Sequence, residues 1–153
     1  MRGYTYPEES GVAVARARGI ELPISPKKTY ELLNAIRGLP VGRARTLLEG
    51  VVGLEVAIPF RRYNQETAHK RRIGPGRFPK KVAKCLLNLL TNAEANAEYE
   101  GLDADSLYVK VASSSRGRIL KATMPRAQGR STPWNEQTTN VEIVLAESAA
   151  KAS

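Results

Sequence analysis

The sequence has only one cysteine, Cys85, and one histidine, His69, in 153 residues. A single cysteine excludes an intramolecular disulfide and a cysteine metal cluster, and we interpret Cys85 as a small buried residue on a helix. A lone histidine among Lys and Arg residues has no partner for acid–base or metal chemistry, so we interpret His69 as a contact for phosphate or water. We therefore expect no catalytic residue, no bound metal and no cofactor.

Long apolar runs are also missing. No stretch approaches the ~20 apolar residues of a membrane span, and the opening MRGYTYPEES lacks the apolar block of a signal peptide. The basic segments of the chain lack the Leu, Trp or Phe stripe of an amphipathic membrane anchor. We expect a cytoplasmic protein without a membrane partner, and the length predicts a single domain over residues 1–153.

Acidic residues are absent from residues 110–135, and the positive charge of the chain is unevenly spread. The net charge of the chain is +9. Residues 60–84 contain nine Lys or Arg and one acid, Glu66, and residues 110–133 contain six Lys or Arg and no acid. The remainder of the chain is mildly acidic. Two such basic segments in one compact chain indicate a polyanionic partner, and nucleic acid is the first candidate.

Hydrophobic periodicity predicts an α+β protein with three helices. Ser25 before Pro26 is typical of a helix N-cap with proline in the first turn, and Tyr30, Leu33 and Ile36 form the apolar face of that helix. The predicted helices cover residues 25–38, 40–53 and 78–97, and the predicted strands cover residues 13–18, 107–112 and 139–145.

The third predicted helix has its charges reversed. Three lysines lie in its first turns and three glutamates near its end: Lys80, Lys81, Lys84, Glu94, Glu98 and Glu100. Each such placement opposes the helix macrodipole by roughly 0.3 to 1 kcal/mol at an exposed site. A phosphate at the N-terminus would accept from the free backbone N–H groups and neutralise the lysines. We prefer this hypothesis to exposed lysines that simply tolerate the cost.

The acid-free segment joins two predicted antiparallel strands, and we interpret it as an extended hairpin, with a long disordered loop as the alternative. Ten further residues per strand would carry its tip ~33 Å beyond the body. Its large apolar side chains are Ile119, Leu120, Met124 and Trp134, too few to cover it, so we expect order on a polyanion and mobility when free. Four of its six basic residues are Arg, whose planar fork pairs phosphates and stacks on exposed bases, which favours RNA.

Six stretches of the chain resemble one known family. They are LPISPKKTYELLNAIRG, AIPFRRYN, GRFPKKVAK, NAEANAEYEGLD, PRAQGR and VEIVL. In this order they extend over most of residues 13–147. The chain resembles the universal large-subunit ribosomal protein family that is numbered twenty-two in the bacterial series and seventeen in the eukaryotic series. The long insert between residues 56 and 84 is similar to the archaeal and eukaryotic form.

The resemblance implies a body of three helices packed on a small antiparallel sheet with a long protruding β-hairpin. The body would comprise residues 13–112 and 137–147, the arm residues 113–136, and the flexible ends residues 1–10 and 148–153. The family's role implies a structural constituent of the large ribosomal subunit, in the cytoplasm. Its body would bind 23S-type rRNA near the tunnel exit, beside neighbouring large-subunit ribosomal proteins.

The resemblance also assigns functional residues, and it gives no reason to expect a homo-oligomer. The hairpin tip would line the exit tunnel and meet the nascent polypeptide, at Pro125, Arg126, Ala127, Gln128, Gly129 and Arg130. The side chains expected to bind rRNA are Arg16, Arg18, Arg61, Arg62, His69, Lys70, Arg71, Arg72, Arg77, Lys80, Lys81, Lys84, Lys110, Arg116, Arg118, Lys121, Arg126 and Arg130.

Two other classes of protein remain as alternatives. A nuclease would need a metal site, and Glu94, Glu98, Asp103 and Asp105 suggest a hydrated Mg²⁺. We prefer a solvated helix end, because these acids lie away from both basic segments. An architectural DNA-binding protein with a basic β-arm in a minor groove also fits the arm. The basic loop over residues 60–84 and the set of matching stretches do not fit that role.

Overall fold

The computed structural model describes residues 4–7 and 13–148. Its helices are α1 (Pro26–Ile36), α2 (Val41–Gly53) and α3 (Lys80–Tyr99). Its strands are β1 (Val14–Leu22), β2 (Ile58–Pro59), β3 (His69–Lys70), β4 (Gly74–Arg77), β5 (Leu107–Leu120), β6 (Thr123–Pro125), β7 (Ser131–Pro133) and β8 (Glu136–Glu147). The predicted α+β class is confirmed, and every predicted helix and strand overlaps an observed one. Of the ends predicted to be flexible, residues 1–3, 8–10 and 149–153 lie outside the described residues.

β8 is the centre of a three-stranded antiparallel sheet in the order β1-β8-β5. Its alternate residues Val141, Ile143 and Leu145 belong to the hydrophobic core and are at most 1% exposed. Helix α3 packs against β1 and α2, and α1 packs against β5. The core therefore lies between one face of this sheet and a layer of helices. Among the described residues, no helix is both long enough and apolar enough to cross a membrane.

The local sequence explains most of α1, and one side chain on α1 and one on α3 need a correction. α1 begins after Ser25 with Pro26 in its first turn, as predicted, although the Ser25 side chain makes no capping hydrogen bond. Tyr30, predicted on the apolar face, is only half-buried because it lies outside the hydrophobic core, where its ring meets the half-buried Tyr63 ring edge-on at a centroid distance of 5.9 Å. Cys85 is likewise half-buried rather than buried, because it packs at the edge of the core.

A β-bulge in β5 changes which side chains enter the core. Lys110 is an extra residue, since Val109 and Val111 pair with consecutive residues of β8. The bulge reverses the alternation, so that Ala112 rather than Val111 is buried. Lys110 is thereby placed at the bulge itself, on the body rather than on the arm.

A second bulge, at Gly117 and Arg118, lies opposite Thr138. Thr138 Oγ1 donates to Arg118 O at 2.7 Å, and Gln137 Nε2 donates to Gly117 O at 2.8 Å. A Cβ at Gly117 would lie only 2.4 Å from Thr138 Oγ1, so only glycine fits without displacement. No residue between Ala112 and Thr138 is buried, so this bulge stands at the base of the arm.

The hairpin continues beyond this bulge, as predicted. β5 and β8 remain paired as far as Leu120 opposite Glu136, and β6 and β7 carry the pairing on to Pro125 opposite Ser131. Trp134 bridges the gap between the two ladders, because its N–H donates to Ala122 O at 2.6 Å. The arm is therefore one antiparallel hairpin that continues the pairing of β5 with β8 beyond the body sheet.

The basic loop between α2 and α3 contains a small sheet that the sequence did not predict. Its order is β2-β4-β3, and two of its strands have only two residues. Gly76 lies at its centre, where a Cβ would meet Ile58 O at 3.1 Å and Ile73 Cδ1 at 2.8 Å. Strands this short show no measurable alternation of apolar and polar residues, which is why the periodicity missed them.

A buried carboxylate fastens this basic loop to α1. Glu31 is 3% exposed, and its Oε1 accepts the backbone N–H groups of Arg62 and Tyr63 at 2.8 and 3.1 Å. Hydrogen bonds to an ionised acceptor are stronger than neutral ones. One acid on α1 therefore fixes the first residues of the segment with a net charge of +8 over residues 60–84.

We predict that Gly117→Ala destabilises the base of the arm by about 1–3 kcal/mol, because the added methyl overpacks against Thr138. The free energy of unfolding in urea measures the cost. Adding Thr138→Ala should recover part of it, since the oxygen nearest the new Cβ is removed. Gly42→Ala is the matched control: nothing lies within 4 Å of its Cβ position in α2, so it should be neutral or stabilising. Equal losses for both alanine variants would contradict the close-approach argument.

We predict that Glu31→Ala loosens the basic loop. Two backbone donors lose their acceptor, and a cost of about 1–3 kcal/mol in unfolding free energy is expected. Glu31→Gln should cost less, since it keeps a carbonyl acceptor. Faster proteolysis within residues 61–72 would report the local effect. Glu49→Ala, at an exposed position of α2, is the control and should leave cleavage unchanged; unaltered cleavage in Glu31→Ala would refute the anchor.

Candidate nucleic-acid interface

The first basic surface is formed by the loop and the start of α3, and is called here the loop surface. Its members are exposed: Arg61, Arg62, His69, Lys70, Arg71, Arg72, Arg77, Lys80, Lys81 and Lys84. The small sheet holds the loop members against the body through β2, which contacts α1. Ten predicted rRNA-binding residues therefore belong to one structural unit between α2 and the second turn of α3.

The N-terminus of α3 carries the three predicted lysines and has no neutralising acid. Its N-cap is Pro79, no side chain caps it, and its first turn contains no acidic residue. Lys80, Lys81 and Lys84 are all exposed. The helix N-terminus and three cations therefore combine their positive potential at one solvent-facing place, where an anion would be stabilised by both.

Aromatic rings organise one edge of the loop surface. The Arg62 guanidinium lies over the rings of Tyr30 and Tyr63, at 5.5 and 5.9 Å from their centroids, and Lys27 Nζ lies 5.9 Å from the Tyr63 centroid. Hydrogen bonds from Asn34 and then from Arg62 lower the pKa of the Tyr30 hydroxyl. The Tyr30 hydrogen bond in turn raises the pKa of Arg62. Arg62 is thus held in place by its own chain while it stays exposed.

Two more cations of the loop surface rest on rings. Lys70 Nζ lies 5.5 Å from the Phe78 ring centroid, and the Arg77 guanidinium lies 6.0 Å from that of Phe60. Such contacts restrict a flexible side chain without neutralising its charge. The loop surface is therefore partly preorganised to receive an anion.

The second basic surface runs along the hairpin and is called here the arm surface. It consists of the exposed side chains Arg116, Arg118, Lys121, Arg126 and Arg130. Glu136 lies opposite Leu120 and is the first acid after Asp105 along the chain. Cations therefore cover the arm with no carboxylate between them, and their mutual repulsion is relieved only by ions or a polyanion.

The tip of the arm has a defined backbone. Arg126 N–H donates to Arg130 O at 2.7 Å, and Arg126 Nε donates to Thr132 Oγ1 at 3.2 Å. Gln128 and Gly129 have φ of 59° and 69°, the left-handed region that glycine adopts without strain. All residues predicted to line the tunnel are exposed around this turn.

Three predicted rRNA-binding residues lie elsewhere, on the outer face of the body sheet. Arg16, Arg18 and Lys110 are half-buried there. The Arg16 guanidinium lies 5.6 Å from the ring centroid of Tyr4, and Lys110 Nζ lies 5.6 Å from that of Tyr6. Arg16 and Lys110 are therefore in contact with residues 4–7, and none of the three cations belongs to the loop surface or the arm surface.

Glu142 explains why residues 4–7 lie on that face. It is 4% exposed on the central strand, and its two oxygens accept the N–H groups of Thr5 and Tyr6 at 3.0 and 3.1 Å. Sequence reasoning missed both this carboxylate and Glu31. The available signal was a single acid inside an otherwise apolar stretch, as in VEIVL for Glu142.

Two of the four acids considered for a magnesium site have partners within the chain. Glu94 pairs with Arg45 of α2, and Asp103 Oδ1 accepts the N–H of Asp105 at 3.2 Å. Across residues 4–7 and 13–148, no group of three or more His, Cys, Asp or Glu side chains is placed to hold a metal ion.

Comparison with known proteins places these features in a family. The model of the family described as Ribosomal protein L22p/L17e matches residues 17–146. Large ribosomal subunit protein uL22 of Methanopyrus kandleri is 45% identical over 150 residues, which are 94% of this chain and 94% of that protein. The protein of the same name from Archaeoglobus fulgidus is 46% identical over 144 residues, 92% of this chain and 93% of that protein. That from Methanothrix thermoacetophila is 46% identical over 136 residues, 87% of this chain and 90% of that protein.

The match covers the helices, both basic surfaces and the arm, and the similar proteins named above are archaeal. The chain therefore belongs to the Ribosomal protein L22p/L17e family, in its archaeal type.

Proposed function

We propose that this chain is a structural, non-catalytic component of the large ribosomal subunit that binds large-subunit rRNA through the loop surface and the arm surface. The arm is the observation that carries the proposal. It extends from the buried core as a hairpin, exposes five cations and contains no carboxylate before Glu136. Family membership identifies the polyanionic partner as ribosomal RNA, because a ribosomal subunit is built of RNA and protein.

The body docks through the loop surface. Phosphate oxygens accept from the N–H groups at the start of α3 while Lys80, Lys81 and Lys84 neutralise their charge. The arginines of the loop add bidentate phosphate contacts, since the guanidinium fork matches two phosphate oxygens. The lysines at the N-terminus of α3 oppose the helix macrodipole in the free protein, and in the complex with rRNA they become favourable because phosphate neutralises them.

The arm penetrates the RNA and presents its tip to the nascent polypeptide. The hydrogen bond between Arg126 and Arg130 closes the tip, and Gln128 lies at its apex with an exposed side chain. A narrow two-stranded hairpin suits the wall of a tunnel, because it occupies little of the tunnel's width. Neighbouring large-subunit proteins complete the surroundings, and the chain acts as a single copy in the cytoplasmic ribosome.

We predict that replacing Lys80, Lys81 and Lys84 with Gln weakens binding to large-subunit rRNA by on the order of tenfold or more at low salt. The slope of log affinity against log salt should fall by about two to three, because each phosphate contact contributes about 0.7–0.9. Binding is measured across a salt series with excess random RNA and duplex DNA as competitors. Wild-type binding to rRNA should persist where random RNA is displaced.

The control for this series is Lys28→Gln with Arg43→Gln. Both are exposed cations, on α1 and α2, outside the two basic surfaces. This double variant should change affinity less per removed charge than the lysine variant. An unchanged slope in the lysine variant would remove the α3 N-terminus from the interface, and equal competition by all three nucleic acids would favour the architectural DNA-binding alternative.

We predict that deletion of residues 116–133 leaves the body folded. No residue in the deleted segment is buried, so the thermal unfolding midpoint should move by less than about 5 °C. The variant should still bind rRNA, with a smaller salt slope, and crosslinks from nascent chains to this protein should disappear in reconstituted large subunits. Gln at all five arm-surface positions is the matched control, which should keep the crosslinks. Unfolding of the body would show that the arm is part of its core.

A further inference from the structure

The arm carries exposed apolar side chains that its positive charge does not explain. Ile119, Leu120, Met124 and Trp134 are 49%, 42%, 38% and 55% exposed. Trp134 is the one tryptophan of the chain. A side chain of this size on a narrow hairpin has no core to enter, so its burial requires a partner.

The strand register groups three of these side chains. Leu120 lies opposite Glu136, Thr123 lies opposite Pro133, and Trp134 N–H bonds to Ala122 O between those pairs. The register is therefore unbroken, with Trp134 opposite Ala122.

Alternation along a hairpin then sorts the arm into two faces. Leu120, Ala122, Met124 and Trp134 share one face, and Ile119 falls on the other. Diagonal neighbours in an antiparallel pair are about 7–8 Å apart, within reach of an indole ring. We define Leu120, Met124 and Trp134 as the Trp face. Opposite the indole the residue is a small alanine, so space is left beside the ring.

Charge decides which partner this face accepts. Residues 110–135 contain no carboxylate, so an approaching protein surface would need acids to neutralise the arm, whereas RNA brings a phosphate for every base. Glu136 marks the body end of the Trp face and repels phosphate there. Arg126 lies four residues towards the tip from Ala122, about 13 Å away at 3.3 Å per residue. An RNA strand with a base at the indole would therefore find Arg126 for its phosphates on the tip side.

We propose that Trp134 is a stacking site for one unpaired base of large-subunit rRNA, with Leu120 and Met124 as its apolar sides. This inference rests on the proposed function and adds to it a contact of a different physical kind. Stacking on an aromatic ring is tolerant of base identity and is not screened by salt as phosphate contacts are. It holds the arm where ionic contacts weaken.

The test uses the intrinsic fluorescence of the full chain, since Trp134 is its sole tryptophan. Titration with large-subunit rRNA should quench the emission to saturation. Trp134→Ala should weaken binding by about 5- to 150-fold, with an unchanged salt slope, and Trp134→Phe should recover part of the loss. Ile119→Ala, on the opposite face with similar exposure, is the control and should bind as the wild type does. Arg118→Gln should instead reduce the slope.

The outcomes separate this site from the function on which it rests. Saturable rRNA binding without quenching, or a Trp134→Ala variant with wild-type affinity, overturns the stacking site and leaves the proposed function intact. Quenching by another large-subunit protein and not by rRNA overturns it in favour of a protein partner. A wild-type chain that fails to bind rRNA overturns the proposed function and this site together. Matched unfolding curves for all variants exclude misfolding as the cause.

Discussion

The pairing of β8 with β5 is the constraint on which both halves of this molecule depend. The last part of β8 supplies Val141, Ile143 and Leu145 to the core, and the first part of the same strand forms one side of the arm. A slip of one residue would turn every core side chain outward and would also misplace every cation on the arm. The core therefore fixes the register of the pairing. The arm follows this register, although its own side chains do not contribute to the buried core. The bulge at Gly117, with its hydrogen bonds from Gln137 and Thr138, lies where this control ends.

Acidic and basic side chains play opposite roles in this structure: several acids bond within the chain, and the cations of both basic surfaces face solvent. Glu31 and Glu142 are buried and accept backbone N–H groups, and Glu94 pairs with an arginine of α2, so these carboxylates work inside the chain. The cations of both basic surfaces face outward, and several cations of the loop surface rest on aromatic rings. Rings restrict a cation without cancelling its charge, whereas a nearby carboxylate would compete with phosphate. Because Glu31 and Glu142 are buried and the cations exposed, the electrostatic potential of both basic surfaces stays positive. The two buried acids meanwhile anchor the basic loop and residues 4–7.

The sequence predicted what depends on local pattern. The three helices, the core strands and the continuous hairpin follow from periodicity, caps and turn residues, and the basic segments follow from composition alone. It did not predict β2, β3 and β4, because strands this short show no alternation, and β2 makes the contact with α1. It did not predict that Glu31 and Glu142 would be buried, because their partners are backbone groups 31 to 137 positions away. For the same reason it did not predict that Arg16 and Lys110 would lie over the rings of Tyr4 and Tyr6.

Within the proposed function, ionic contacts and base stacking differ in range. Both basic surfaces carry several exposed cations, and such potentials act over a Debye length, about 8 Å at physiological salt. They attract RNA before contact. Stacking at Trp134 acts only at contact, so it contributes after the arm has entered. Because the bulge at Gly117 presets the direction of the arm, less rotational freedom is lost on entry. In this proposal, ionic attraction by both basic surfaces comes first, and the contact of a base with Trp134 follows.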